Sequence, residues 1–243
     1  MSSTIVLLLM GLVSALYATA GQAGGSGFVA VMTFASFPSN EIRTTALTLN
    51  VVAASYAVWR VQRAGIVDWV LLRRVLATSL PAAFLGGTIA LGGTTYFIMT
   101  ALLLVLVAVL MLVGTASDED VAVQSRTAWL AGGVTGFVSG LTGVGGGVFL
   151  SALLILFARV SPKRMAALSP PFILANSAVS LAGALIAGSR VPVAAAWFAL
   201  AAVAGSAVGT AIGLRWMSAS AIRRVLAAIL IVGAAQMAYR ALT

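Results

Sequence analysis

Two glycine-rich stretches hold the residues best suited to chemistry. One is "GLTGVGGGVF" (140–149), with Gly143, Gly145, Gly146 and Gly147. The other is "GQAGGSGF" (21–28), where Gly24, Gly25 and Gly27 are interleaved with Gln22 and Ser26. Both lie inside apolar sequence. Glycine accepts positive φ and lets a ligand come close to the backbone. A helix that starts just after such a turn presents free N–H groups and partial positive charge to an anion. The chemistry on offer is recognition of an oxyanion by neutral donors, with no bond made or broken. Further donors are Thr142 beside the second stretch, Thr48 and Asn50 in the segment after the first, and Ser169 and Asn176 in the segment after the second. The plainer alternative stays open: small residues allow close helix packing, and buried amides bond neighbouring helices.

The elements that hold these residues follow from composition. Of 243 residues, 61% are hydrophobic and 8% charged, with a mean hydropathy of +1.12, far from the usual soluble mix. The expected fold class is an all-α polytopic transmembrane bundle in a lipid bilayer. The 14 basic residues give a net charge of +9. They are scattered singly or in pairs, so membrane topology explains them better than nucleic acid. Cysteine and histidine are absent, which removes disulfides, thiol chemistry and the common transition-metal ligands. No metal site and no cofactor is expected. No Ser/His pair or aspartyl dyad suggests an enzyme. The opening "MSSTIVLLLMGLVSALYATAGQA" resembles a signal peptide but lacks a basic start, so it is read as a membrane segment.

Apolar stretches fall at 3–34, 43–62, 70–91, 95–114, 127–158, 163–187, 192–214 and 221–241. The first and fifth are too long for one crossing of about 20 residues, and each has its glycine cluster near the middle. The acidic stretch 117–126 separates a first repeat (1–116) from a second (127–243). The glycine stretches, "TTALT" (44–48) against "MAALS" (165–169), and "FLGGT" (84–88) against "AVGTA" (207–211) recur in order at offsets of about 119 to 125. Thr48 and Ser169 align in that register, and Pro170 and Pro171 are expected to disturb the sixth segment. If every segment crosses once, the basic residues divide seven and seven. If the first and fifth are re-entrant hairpins, eleven fall on the linker's side and only Arg43, Arg190 and Arg240 on the other. The positive-inside rule favours the second arrangement. It makes the halves inverted repeats, with both termini outside and the linker cytoplasmic.

No carboxylate falls near the centre of a segment. A cation site or proton relay in the bilayer would need one, so a small anionic substrate is favoured. Arg43 and Arg164 pair at an offset of 121 and are candidates for gating or attracting the anion, with snorkelling to headgroups as the alternative. Gly132, Gly136 and Gly140, and Gly205, Gly209 and Gly213, form small-xxx-small ladders. These read as packing faces and a potential homo-oligomer interface.

The "GxxGxGGG" element near the start of a half, followed by an "AALS"-type segment in a chain of this length, resembles the sulfite exporter TauE/SafE family. The likeness is clearest from Gly136 to Ala187 and weaker in "GGSG" of the first half. It implies export of sulfite or an organosulfonate across the bacterial inner membrane. The resulting expectation is a secondary transporter alternating access to a midplane site between the two broken hairpins. A passive anion channel, a carrier of another anion and a structural membrane subunit remain as alternatives.

Overall fold

The structure, a computed structural model, describes residues 3–113, 121–216 and 219–242. It contains α1 (Ser3–Ala18), α2 (Gly25–Phe34), α3 (Ser39–Arg63), α4 (Trp69–Thr88), α5 (Gly93–Val113), α6 (Ser125–Thr142), α7 (Gly147–Ala158), α8 (Pro162–Ile186), α9 (Ala195–Trp216) and α10 (Ala219–Leu242). Among the described residues there is no strand. Residues 117–120 of the expected linker lie outside the described residues, and 121–124 are irregular. The two overlong apolar stretches each split into a pair of helices, α1 with α2 and α6 with α7, at the glycine clusters.

Local chemistry explains the helix boundaries. The Asp68 carboxylate accepts from the N–H groups of Val70 at 3.1 Å and Leu71 at 2.9 Å, capping α4. Ser161 accepts from the Arg164 N–H at 3.3 Å, with Pro162 as the first residue of α8. The breaks are held by left-handed glycines, at φ 109° for Gly24 and 79°, 83° and 74° for Gly143, Gly145 and Gly146, a conformation costly for any other residue.

The expected disturbance at Pro170 and Pro171 does not occur, because α8 runs unbroken through both. Pro170 has no N–H to give the Ala166 carbonyl. That carbonyl instead lies against Gly21, where a Cβ would collide with it. The helical carbonyl that Pro170 cannot serve therefore marks where the first break presses on α8.

Packing joins helices of different halves. Gly132, Gly136 and Gly140 of α6 lie on the backbone of α4 at Val75, Ser79 and Ala83, so these two helices run in the same direction. Likewise α1 runs with α9, Gly11 beside Ala201 and Gly205 and Ala15 beside Gly209, with Ser14 Oγ donating to the Ala202 carbonyl at 2.6 Å. Helix α8 runs with α4, since Asn176 meets Ser79 and Gly183 meets Phe84 and Gly87. Helices α3 and α8 run opposite ways: Thr44 Oγ1 donates to the Arg190 carbonyl at 2.9 Å, whereas Asn50 and Ser177 both flank Gly145. So do α5 and α10, where Arg240 lies over the Phe97 ring and Gly233 faces Leu104. Gly132, Gly136, Gly140, Gly205 and Gly209 of the two ladders thus pack against helices of the same chain.

The outward surface is apolar: Leu8 is 70% exposed, Leu130 72% and Phe157 71%. Such a surface suits lipid and not water. Among the described residues, α4, α5, α8 and α9 are long and apolar enough to cross a membrane by length and composition alone. Helix α3 fails that measure because it carries Arg43, Thr44, Thr45 and Asn50, all buried in the interior.

One substitution at two sites tests the α4–α6 contact. A Cβ at Gly133 would meet only Thr78 Cβ, at 3.8 Å. Gly133→Ala should raise the melting temperature in detergent by about 2 °C, since alanine is favoured over glycine in a helix by ~1 kcal/mol. At Gly136 the Cβ would strike the Ser79 backbone. Gly136→Ala should therefore lower it by several degrees, through an overpacking cost of roughly 1–3 kcal/mol. Shifts of the same sign would contradict this packing.

Candidate functional site

The two breaks touch. Gly25, the first residue of α2, lies against the Val144 carbonyl of the second break, and Gly147, the first of α7, lies against Gln22 of the first. Neither α2 nor α7 has a side chain capping its N-terminus. Their first-turn N–H groups, which no helix can satisfy internally, are therefore directed at one place in the interior.

Buried side chains from α3, α4, α6 and α8 converge there. Gln22 Nε2 donates to Ser151 Oγ at 3.0 Å and Ser169 Oγ at 3.1 Å, and the two serines are 3.2 Å apart. Asn50 Nδ2 donates to the Gly143 carbonyl at 3.3 Å. Ser79 Oγ donates to Asn176 Oδ1 at 2.5 Å, while Asn176 Nδ2 stands 3.1 Å from where a Gly146 Cβ would be. Gln22 Oε1, Asn50 Oδ1, Asn176 Nδ2, Ser139 Oγ and Ser177 Oγ are buried without a hydrogen-bond partner. A buried polar atom left unsatisfied costs about 1–3 kcal/mol, and such atoms ordinarily find partners. Several in one place mark a site with hydrogen-bonding capacity to spare.

Of the residues singled out by sequence, the structure gathers Gln22, Gly25, Asn50, Gly143, Gly145, Gly146, Gly147, Ser169 and Asn176. Gly24 supplies the left-handed turn before α2. Ser26 shares a 2.7 Å hydrogen bond with Tyr17, and Gly27 lets α2 pack on Val13 and Tyr17 of α1. Two hydroxyls are committed locally. Thr48 donates to the Thr44 carbonyl at 2.8 Å within its own helix, and Thr142 donates to the Val138 carbonyl at 2.8 Å while accepting from the Val144 N–H at 3.3 Å.

Ser79, Ser139, Ser151 and Ser177 complete the cluster. Ser139 and Ser177 are legible as hydroxyls in the segments that carry the second glycine stretch and Asn176, whereas the signal of the other two was faint: Ser151 is a lone hydroxyl in "VFLSALLIL", and Ser79 looks like any small residue of α4.

The two arginines do not form an equivalent pair. Arg43 is the fifth residue of α3 and Arg164 the third of α8, so Arg43 sits deeper along its helix. It is 5% exposed, its stem packs on Gly143, and its guanidinium donates to the carbonyls of Gly87, at 2.5 Å, and Ile89 at the C-terminal end of α4. Those carbonyls lack helical partners and carry the negative end of the helix dipole. Arg164 instead forms an ion pair with Asp68, each side chain 25% exposed. The Arg43 guanidinium is thus bonded at the end of α4 and that of Arg164 at Asp68.

The model of the family described as Sulfite exporter TauE/SafE matches residues 6–237. The chain is also 32% identical over 222 residues to a probable membrane transporter protein, y4hK, of Sinorhizobium fredii (strain NBRC 101917 / NGR234), a match covering 89% of this chain and 90% of that protein. The chain belongs to the TauE/SafE family of membrane transporters and is a multi-pass membrane protein.

The Asp68–Arg164 pair ties the start of α4 to the start of α8. Partial burial pushes the Asp68 carboxyl up, but the Leu71 N–H, the Arg164 guanidinium and the Val70 N–H outweigh this and hold its pKa below the usual carboxylate range. A depressed carboxylate contributes stability that is present above its unfolded pKa and is lost as pH falls through the folded value. Asp68→Asn should therefore lower the melting temperature at neutral pH. The gap to the unaltered protein should close below about pH 4. A gap unchanged at acid pH would refute the ionic contribution.

Proposed function

We propose that this transporter exports a small oxyanion, sulfite or an organosulfonate, across the bacterial inner membrane by alternating exposure of the site between the two breaks. The observation that carries this reading is the meeting of two uncapped helix N-termini amid buried, unmatched polar atoms. Two such ends present N–H donors and partial positive charge, which suits the oxygens of a sulfite or sulfonate group. Among the described residues the acidic side chains are Glu41, in the first turn of α3, and Asp68, at the cap of α4, so no carboxylate stands at the site to repel an anion.

The proposal includes inverted repeats, with α1–α2 and α6–α7 as re-entrant hairpins. Three observations support it. Helices α3 and α8, equivalent in the two halves, run antiparallel, as do α5 and α10. Helices α2 and α7, of 10 and 12 residues, are about 15 Å and 18 Å long at 1.5 Å per residue, close to half a hydrocarbon core of about 30 Å. The inverted arrangement also gives the eleven-to-three division of basic residues, with both termini outside and the linker in the cytoplasm. Helices α1 with α9 and α4 with α6 join the halves in two ladder-packed pairs. Rocking of these units about the site is the motion proposed for alternating access.

Reconstitution into liposomes tests the activity. Counterflow of sulfite or an organosulfonate is expected. Gly145→Ala should reduce it at least tenfold, since its left-handed backbone resists a side chain and the new Cβ would overlap the Asn50 amide. Saturation-free flux without counterflow would replace the carrier with a channel, and no flux of any anion would defeat the proposal.

Topology has a separate test, helped by the absence of native cysteine. Cysteines at Ser3 and Asn40 should label from the same side, and one at Ala64 from the other. Labelling of Ser3 and Asn40 from opposite sides would mean a single crossing and would sink the hairpin.

A further inference from the structure

We infer that the anion this site takes carries a hydrogen-bond donor of its own: a singly protonated oxyanion such as bisulfite, or a sulfonate bearing a hydroxyl or amino group. The inference rests on the proposed function and narrows the substrate of the same site.

Asn50 decides it. Its Nδ2 donates to the Gly143 carbonyl at 3.3 Å. A carbonyl only accepts, so the amide is oriented with nitrogen toward Gly143 and oxygen away. That oxygen is fully buried and accepts from no N–H or O–H. The amide is wedged where the breaks meet, its nitrogen 2.5 Å from where a Cβ on either Gly25 or Gly145 would stand. The same junction receives the N-termini of α2 and α7. Gln22 Oε1 is a second unmatched acceptor, 2.5 Å from where a Gly147 Cβ would be.

The site is therefore of mixed character. The first-turn N–H groups of α2 and α7 and Asn176 Nδ2 are donors, and they suit the anion's oxygens. Asn50 Oδ1 is an acceptor and can only repel another acceptor. Ser139 and Ser177 do not alter this, because a hydroxyl donates or accepts as required and neither reaches a partner. An anion that accepts at every position leaves Asn50 Oδ1 buried and unsatisfied. An O–H or N–H on the substrate satisfies it. Sites built to bond a substrate hydroxyl or amine discriminate strongly against analogues that lack it.

The test compares two monoanions that differ by one hydroxyl, isethionate and ethanesulfonate, as counterflow substrates in proteoliposomes. Isethionate is expected to be preferred by at least about tenfold, the penalty for one unsatisfied buried acceptor. Asn50→Ala should shrink that ratio whatever it does to absolute rates. If that variant fails to fold, the ratio in the unaltered protein still decides.

Inorganic sulfite forms the second arm. Its flux should rise as the medium is acidified through the protonation of the sulfite dianion to bisulfite, which identifies bisulfite as a carried form. Equal rates for isethionate and ethanesulfonate, or sulfite flux that follows the dianion, would overturn the inference while leaving anion transport standing. No flux of any anion would overturn the proposed function, and this inference with it.

Discussion

A peptide group in hydrocarbon must find its hydrogen bond within the protein, and a helix is the simplest way to do so. This chain abandons that solution twice, at the irregular residues between α1 and α2 and between α6 and α7. The rest of the structure follows from those two places. They are pressed against each other, Gly25 on Val144 and Gly147 on Gln22, so neither meets lipid. Helices α3 and α8, which carry the buried Asn50, Ser169, Asn176 and Ser177, are drawn inward to serve them. Apolar surface such as Leu8 and Leu130 is left to face the membrane.

Glycine does two different jobs in achieving this. In the breaks, Gly24, Gly143, Gly145 and Gly146 hold left-handed backbone. Gly132, Gly136 and Gly140 of α6 and Gly205 and Gly209 of α9 are ordinary helical residues whose missing Cβ lets α4 and α1 approach to backbone contact. The second use makes the first tolerable, because contact that close excludes lipid from the interior. The two breaks are nonetheless furnished differently. Asn50, Asn176, Ser139 and Ser177 all gather on the second break, whereas the first contributes Gln22, which reaches across to Ser151 and Ser169.

Much of this was legible in the sequence because the bilayer constrains composition so strongly. An apolar run too long for one crossing, with glycines at its middle, announced each break, and the helix boundaries agree with the expected segments to within a few residues. What stayed hidden depends on which way a side chain faces. Thr48 and Ser169 align by repeat, yet Thr48 bonds within its own helix and Ser169 joins the cluster. Arg43 and Arg164 align as well, but a shift of two positions along equivalent 25-residue helices gives one the end of α4 and the other Asp68. Pro170 and Pro171 signalled a break that tertiary packing overrode. Ser79 and Ser151 are single hydroxyls whose partners lie 97 and 129 residues away, a distance that no local pattern reports.

The treatment of positive charge bears on how the proposed carrier would work. A guanidinium facing an oxyanion in a dry interior forms a bidentate, charge-assisted pair. Such a pair holds its ligand tightly, which defeats a protein that must release its cargo on the far side. Among the described residues Arg43 is the one buried cation near the second break, and its terminal nitrogens are committed to the carbonyls of Gly87 and Ile89. Its charge stays close enough to favour an anion through space, while direct contact is left to backbone N–H groups, amides and hydroxyls. On that reading the buried arginine sets the potential of the site, and the neutral donors set how firmly the anion is held.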